Sequence, residues 1–190
     1  MRTRKRPKPL KKIAEIAAPY LADPEARVFF FDEGRFGLKP TLGRHWARRG
    51  VRPQALVEPG YENFYVYSAV APHAREAFSL FLPWVNTQAM NVYLEQLAAA
   101  YPDKRLLLIW DRAGWHGSKG LRIPHNIRCE ALPPYSPELN PVERLWQWLR
   151  RHVTRNQLFD SQEALMDRLA DALGKPDPEL LGSLCRCSYL

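Results

Sequence analysis

Two unbroken apolar runs, each closed by an aspartate, limit what this chain can become. Val28-Phe-Phe-Phe31 runs into Asp32, and Leu106-Leu-Leu-Ile-Trp110 runs into Asp111. Neither run alternates apolar with polar residues, so both read as strands covered on both faces. Such strands belong inside an open α/β sheet with helices packed on either side. The rest of the chain supplies suitable neighbours. Asn63 to Val70 and Ala77 to Leu82 read as further strands, and Ile127 to Leu132 as a short one. Thr87 to Tyr101 puts Met90, Tyr93, Leu94, Leu97 and Tyr101 on one helical stripe, which is core. Residues 9–22 read as a short helix stopped at Pro19, and Gly34 is expected to end the first strand.

Composition matters mainly through where the charge lies. The chain has 190 residues, 46% of them apolar, with six tryptophans, enough for one domain with a sizeable core. Of a net charge of +8, seven charges fall in residues 1–12, as Arg2, Arg4, Lys5, Arg6, Lys8, Lys11 and Lys12, with no acid among them. A basic tail of this kind suits contact with a polyanion. Arg44, Arg48 and Arg49 around Trp46 form a second, smaller basic patch, which suits a phosphate backbone or an ordinary solvated face. Cys129, Cys185 and Cys187 make no even framework, which implies a reducing, intracellular compartment. Glu15 and Pro19 interrupt any signal peptide, and no apolar run approaches the roughly 18–20 residues of a membrane span. The expectation is a soluble, cytoplasmic protein.

The stretch Leu132-Pro-Pro-Tyr-Ser-Pro-Glu-Leu-Asn-Pro-Val-Glu-Arg-Leu-Trp146 can be read residue by residue. Pro133, Pro134 and Pro137 hold the backbone out of helix. Asn140 is a good N-cap, and Pro141 suits the first helical position. Val142, Leu145, Trp146, Leu149 and Val153 then form an apolar face, with Glu143 in the first turn. Glu143 either closes a capping box with Asn140 or presents a carboxylate from a rigid element. Asp32 is likewise either a turn cap or a site residue.

Asp32 and Asp111 are expected to end two buried strands, and Glu143 to open a helix after a third. Sites in open α/β sheets assemble at the carboxyl ends of strands. Three carboxylates gathered there repel one another unless cations neutralise them. Mg²⁺ suits such a group, because it takes carboxylate oxygens while keeping water and phosphate in its shell. Two such ions stabilise both the attacking and the leaving oxygen of an in-line phosphoryl displacement.

Three segments carry a family resemblance: FFFDE at 29–33, IWDRAGWH at 109–116 and LPPYSPELNPVERLW at 132–146. Together they resemble the DDE transposases of the mariner superfamily, in its bacterial insertion-sequence branch, over about residues 26–155. The resemblance implies a ribonuclease H-like fold, a mixed central sheet flanked by helices. It also implies Asp32, Asp111 and Glu143 as catalytic residues and ligands of two Mg²⁺ or Mn²⁺ ions. On this reading, residues 1–25 are a basic arm and short linker helix, and 26–190 the catalytic domain. The family's N-terminal helix-turn-helix region is expected to be absent, supplied as a separately encoded or frameshift-fused part. The implied activity is cleavage and strand transfer in DNA transposition, by a homodimer on transposon-end and target DNA, with bacterial, nucleoid-associated localisation. Where members often carry Asn after the second Asp, this chain has Arg112, an expected phosphate contact, while His116 reads either as a structural histidine or as a DNA contact near substrate phosphate. Two alternatives stay open: a nuclease without strand transfer, and an inactive DNA-binding or oligomerisation remnant.

Overall fold

The computed structural model describes residues 8–40, 42–43, 46–50, 62–111, 113–174 and 177–190. Among these residues, five strands form a single sheet in the order β3-β2-β1-β4-β5. The strands are β1 (Ala26–Gly37), β2 (Asn63–Ala71), β3 (Glu76–Leu82), β4 (Arg105–Trp110) and β5 (Ile127–Ala131). The helices are α1 (Lys8–Leu21), α2 (Thr87–Ala100), α3 (Val142–Leu149), α4 (Gln162–Gly174) and α5 (Pro178–Leu184). β1 pairs antiparallel with β2 and β2 with β3, while β4 runs parallel to β1 and β5 parallel to β4. The two apolar runs are thus neighbours at the centre of a mixed sheet, as their composition demands.

β1 changes partners along its length. Its first half follows β4 from Ala26↔Arg105 to Phe30↔Ile109, and its second half follows β2 from Phe30↔Val70 to Gly37↔Asn63. Asp32 lies two residues past Phe30, and Asp111 two past Ile109, so both aspartates leave the parallel ladder at one level. Side-chain alternation then assigns the faces. Val28, Phe30, Leu107 and Ile109 pack with α1, α3, α4 and α5, whereas Phe29, Phe31, Leu106 and Leu108 pack with Met90, Tyr93, Leu94 and Leu97 of α2. Phe29, Phe30 and Phe31 are fully buried, each contributing about 2–3 kcal/mol of apolar transfer.

Several sequence expectations change. Gly34 does not end β1, which continues to Gly37. The glycine lies instead beneath the ring of Trp146, where an added Cβ would sit 2.9 Å from the indole. Pro19 does not stop α1, which runs on to Leu21; near the helix end the proline forfeits one backbone bond to the turn before it, and the helix closes two residues later. That helix is also more than a linker. Ile13 and Ala17 are buried in the same core as β1 and α3. Beyond α3 the chain continues as one π-helical turn, Arg150–Thr154, that buries Val153 and Thr154.

Candidate active site

A cavity of about 370 Å³ opens at the carboxyl end of the parallel strands, lined by Asp32, Asp111 and Glu143. The segment 132–137 and Asn140 complete its wall. The expected trio is therefore brought together from β1, the residue after β4, and the first turn of α3.

Asp32 shares a face with Phe30 and Gly34, the face on which α3 packs. Trp146, one turn after Glu143, rests on Gly34, and its indole Nε1 donates to Asp32 Oδ2 at 2.8 Å. Residues three apart on a helix project from the same side, so the packing that seats Trp146 also turns Glu143 toward Asp32. Burial pushes the Asp32 carboxyl up to about 7; the indole bond opposes the rise, and Glu143 and Glu33 add to it. The site has more negative charge than it can hold comfortably.

Asn140 decides how Glu143 is used. Its backbone N–H goes to the Pro137 carbonyl at 2.9 Å, so the reciprocal bond of a capping box is already taken by another group. Its side-chain Oδ1 accepts from Val142 N–H at 3.2 Å, and its Nδ2 donates to the Phe31 carbonyl at 2.8 Å. Asn140 thus caps α3 and also pins it to β1, one residue before Asp32. The Glu143 side chain has no hydrogen-bond partner among the described residues and faces the cavity.

Asp111 lies in a different setting, with its side chain 56% exposed. Its Oδ1 accepts from Ala113 N–H at 2.9 Å and from His116 Nδ1 at 3.1 Å. The His116 bond, with help from Ala113, holds this carboxyl below the usual carboxylate range against the effect of partial burial. His116 itself is not a surface residue. Its side chain is 3% exposed, stacked on Trp110 at 4.5 Å with planes 6° apart, and its Nε2 lies 3.3 Å from Glu33 Oε1. Of its two readings the structural one fits these contacts, which make His116 a bridge between two carboxylates. Burial opposes its charge, but the bonds to Asp111 and Glu33 outweigh that and raise it to about 9.

Glu33 lies on the α2 side of β1, as strand alternation requires. Its pairing with His116 has no sequence signal, since 83 positions separate the two. Of the expected DNA contacts, Lys11 and Lys12 are exposed on α1, Lys11 pairing with Glu15 at 3.7 Å, and Arg48 and Arg49 are exposed in the β1–β2 connection. Arg2, Arg4, Lys5, Arg6, Arg44 and Arg112 lie outside the described residues, as does the side chain of Lys8. Cys129, Cys185 and Cys187 are free thiols. No helix among the described residues is long and apolar enough to cross a membrane.

An antiparallel β3-β2-β1 meander continued by parallel β4 and β5, with acids where the parallel ladder ends, defines a ribonuclease H-like domain. The DDE superfamily endonuclease model matches residues 27–166, and the chain belongs to that family. It is 37% identical over 112 residues to the uncharacterized protein y4pE/y4sA of Sinorhizobium fredii, covering 58% of this chain and 83% of that one. It is 31% identical over 150 residues to the insertion element IS630 uncharacterized 39 kDa protein of Shigella sonnei, covering 76% of this chain and 44% of that protein. The Mos1 mariner paired end complex with Mn shares the fold at a TM-score of 0.69 and 18% identity, over 97% of this chain and 62% of that one. The chain thus spans less than two thirds of the IS630 and Mos1 proteins.

Proposed function

We propose that this chain is the catalytic domain of an insertion-sequence transposase, cleaving DNA strands with water and joining the freed 3′ hydroxyl to target DNA. The observation that carries this reading is the convergence of Asp32, Asp111 and Glu143 on one cavity, from three separate elements. The donor chemistry fits Mg²⁺ or Mn²⁺. The three are hard oxygen ligands, and Asp32 is raised to about 7 by burial and by its acidic neighbours, a cost that a cation would remove. Among the described residues no group of three His, Cys, Asp or Glu side chains stands close enough together to hold a metal ion. On this reading the three carboxylates draw in around the ion as it binds, and water and substrate phosphate complete its shell. Two ions there would supply the positive charge that stabilises the attacking and leaving oxygens of an in-line displacement. The protein's own contribution is orientation: Trp146 holds one oxygen of Asp32, His116 and Ala113 hold one of Asp111, and Asn140 fixes the helix that presents Glu143.

Double-stranded DNA is the proposed substrate, as transposon ends and target. The seven basic residues of the first twelve and the exposed Arg48 and Arg49 support it. The Mos1 relative was solved as a paired end complex with Mn, which supports both the DNA and the metal assignment. A homodimer on DNA and a separate helix-turn-helix partner complete the proposal. The test is Mn²⁺-dependent nicking of supercoiled DNA, followed by strand transfer of a pre-cleaved end. Glu143→Gln should lower nicking by orders of magnitude, because the charge stabilisation at stake is worth several kcal/mol. A Gln variant that is equally folded and nicks near the wild-type rate sinks the three-acid reading. Nicking without transfer leaves a nuclease.

A further inference from the structure

Glu33 and His116 are not among the three acids, yet His116 is buried within bonding distance of Asp111, and Glu33 within bonding distance of His116. His116 stands beyond the end of β4 and reaches across the sheet edge between its two faces. One ring nitrogen faces Asp111 Oδ1 at 3.1 Å and the Asp111 carbonyl at 3.2 Å; the other faces Glu33 Oε1 at 3.3 Å. The ring plane is fixed by its stack on Trp110 and by the edge of Phe31, at 4.5 and 5.8 Å between centroids. Trp110 and Phe31 are the residues immediately before Asp111 and Asp32, so the clamp is built on the ends of both central strands. Glu33 is held on the far side with its side chain 7% exposed, where an ionised carboxylate is costly without a bonded partner.

We propose that Glu33 and His116 are positioning residues for Asp111: the carboxylate–imidazole–carboxylate chain holds Asp111 Oδ1 and leaves Oδ2 free toward the cavity. The need arises because Asp111 is more than half exposed, just past the end of its strand, where an unrestrained carboxylate samples several rotamers. With Oδ1 engaged by Ala113 N–H and His116, rotation of the carboxyl breaks two bonds at once. Groups that orient a metal-binding carboxylate from behind commonly matter to affinity by roughly 10–100-fold. The proposal rests on the carboxylate reading above and adds two residues to it.

The experiment is direct Mn²⁺ titration of the full chain without DNA, with free Mn²⁺ read by electron paramagnetic resonance and the folded fraction by circular dichroism. Asp111→Asn should remove most of the affinity; if it does not, the carboxylate reading fails, and this proposal with it. His116→Ala should weaken Mn²⁺ binding by roughly 10–100-fold. His116→Asn, whose amide nitrogen can stand where Nδ1 stands, should restore affinity to near the wild-type value. Glu33→Gln, which keeps an acceptor for Nε2–H but loses the charge, should fall between the two. Wild-type Mn²⁺ affinity in folded His116→Ala, alongside a defective Asp111→Asn, overturns the positioning role and leaves the three-acid site standing. Should His116→Ala not fold, the Asn and Gln variants decide: a Glu33→Gln chain binding as tightly as wild type, or an Asn variant that folds without recovering affinity, overturns the proposal.

Discussion

Asp32 and Asp111 leave neighbouring strands at one level of the sheet, and each has one carboxylate oxygen held by a ring N–H. Their surroundings nevertheless pull the two charges in opposite directions. Asp32 is partly buried between β1 and α3, its ring donor is a neutral indole, and its carboxyl rises to about 7. Asp111 is half open to solvent, its ring donor is an imidazole backed by Glu33, and its carboxyl is lowered. The difference teaches that two acids with one expected role can carry their charge at very different cost. Without a cation, the Asp32 side of the site stores the unfavourable charge, and the Asp111 side is already compensated.

The sharpest way to break this contrast is to neutralise each aspartate in the metal-free protein. A carboxyl raised in the folded state contributes its stability fully below its unfolded value, here 3.8, and loses it as pH rises through about 7. Asp32→Asn should therefore stabilise the fold at pH 8, by about 4 kcal/mol as a ceiling, and by little near pH 4. Asp111→Asn should do the opposite, lowering stability at pH 8, with the loss fading as pH falls through the depressed folded value. Thermal melts of the two variants at both pH values, with chelator present, check the signs. Equal shifts would mean that the two sites do not differ as described.

A smaller effect is expected from striking the Asp32 side through packing. Gly34→Ala would place a Cβ within 2.9 Å of the Trp146 ring and 3.0 Å of Phe36, costing about 1–3 kcal/mol as the indole is displaced. Chemical denaturation reads that cost, and Mn²⁺ titration should show weaker binding, since Trp146 also orients Asp32. A Gly34→Ala protein as stable as wild type would show that the close packing of α3 on β1 is dispensable. The smallest effect concerns the turn that leads into α3. Tyr189 donates its hydroxyl to the Leu139 carbonyl at 2.6 Å, bracing the turn that precedes Asn140 and Glu143. Tyr189→Phe should cost about 0.5–1.5 kcal/mol by urea denaturation and leave the response of Asp32→Asn to pH unchanged.

Much of this was legible in the chain itself. Continuous apolarity at 28–31 and 106–110 required strands buried on both faces, because no polar side chain is available there to meet water. The prolines and Asn140 required a turn and then a helix start, since they restrict the backbone locally. Spacing and motif together singled out Asp32, Asp111 and Glu143 before any coordinate was known. Gly34 was misread because a glycine in a strand has two common causes, a chain break and a close neighbour. Only the position of Trp146, 112 residues later, distinguishes them.

Local chain chemistry therefore determined the elements and the apolar faces, because periodicity, proline geometry and capping act over a few residues; the three acids were singled out by the family resemblance of the motifs that carry them. Tertiary structure alone decided which acid bears the burial cost, that Asn140 pins α3 to β1, and that His116 turns inward to Glu33. Burial and hydrogen-bond partnership depend on side chains brought together across 83 to 109 positions. No local pattern encodes such pairings, since they exist only once the sheet has closed and the helices have docked on it.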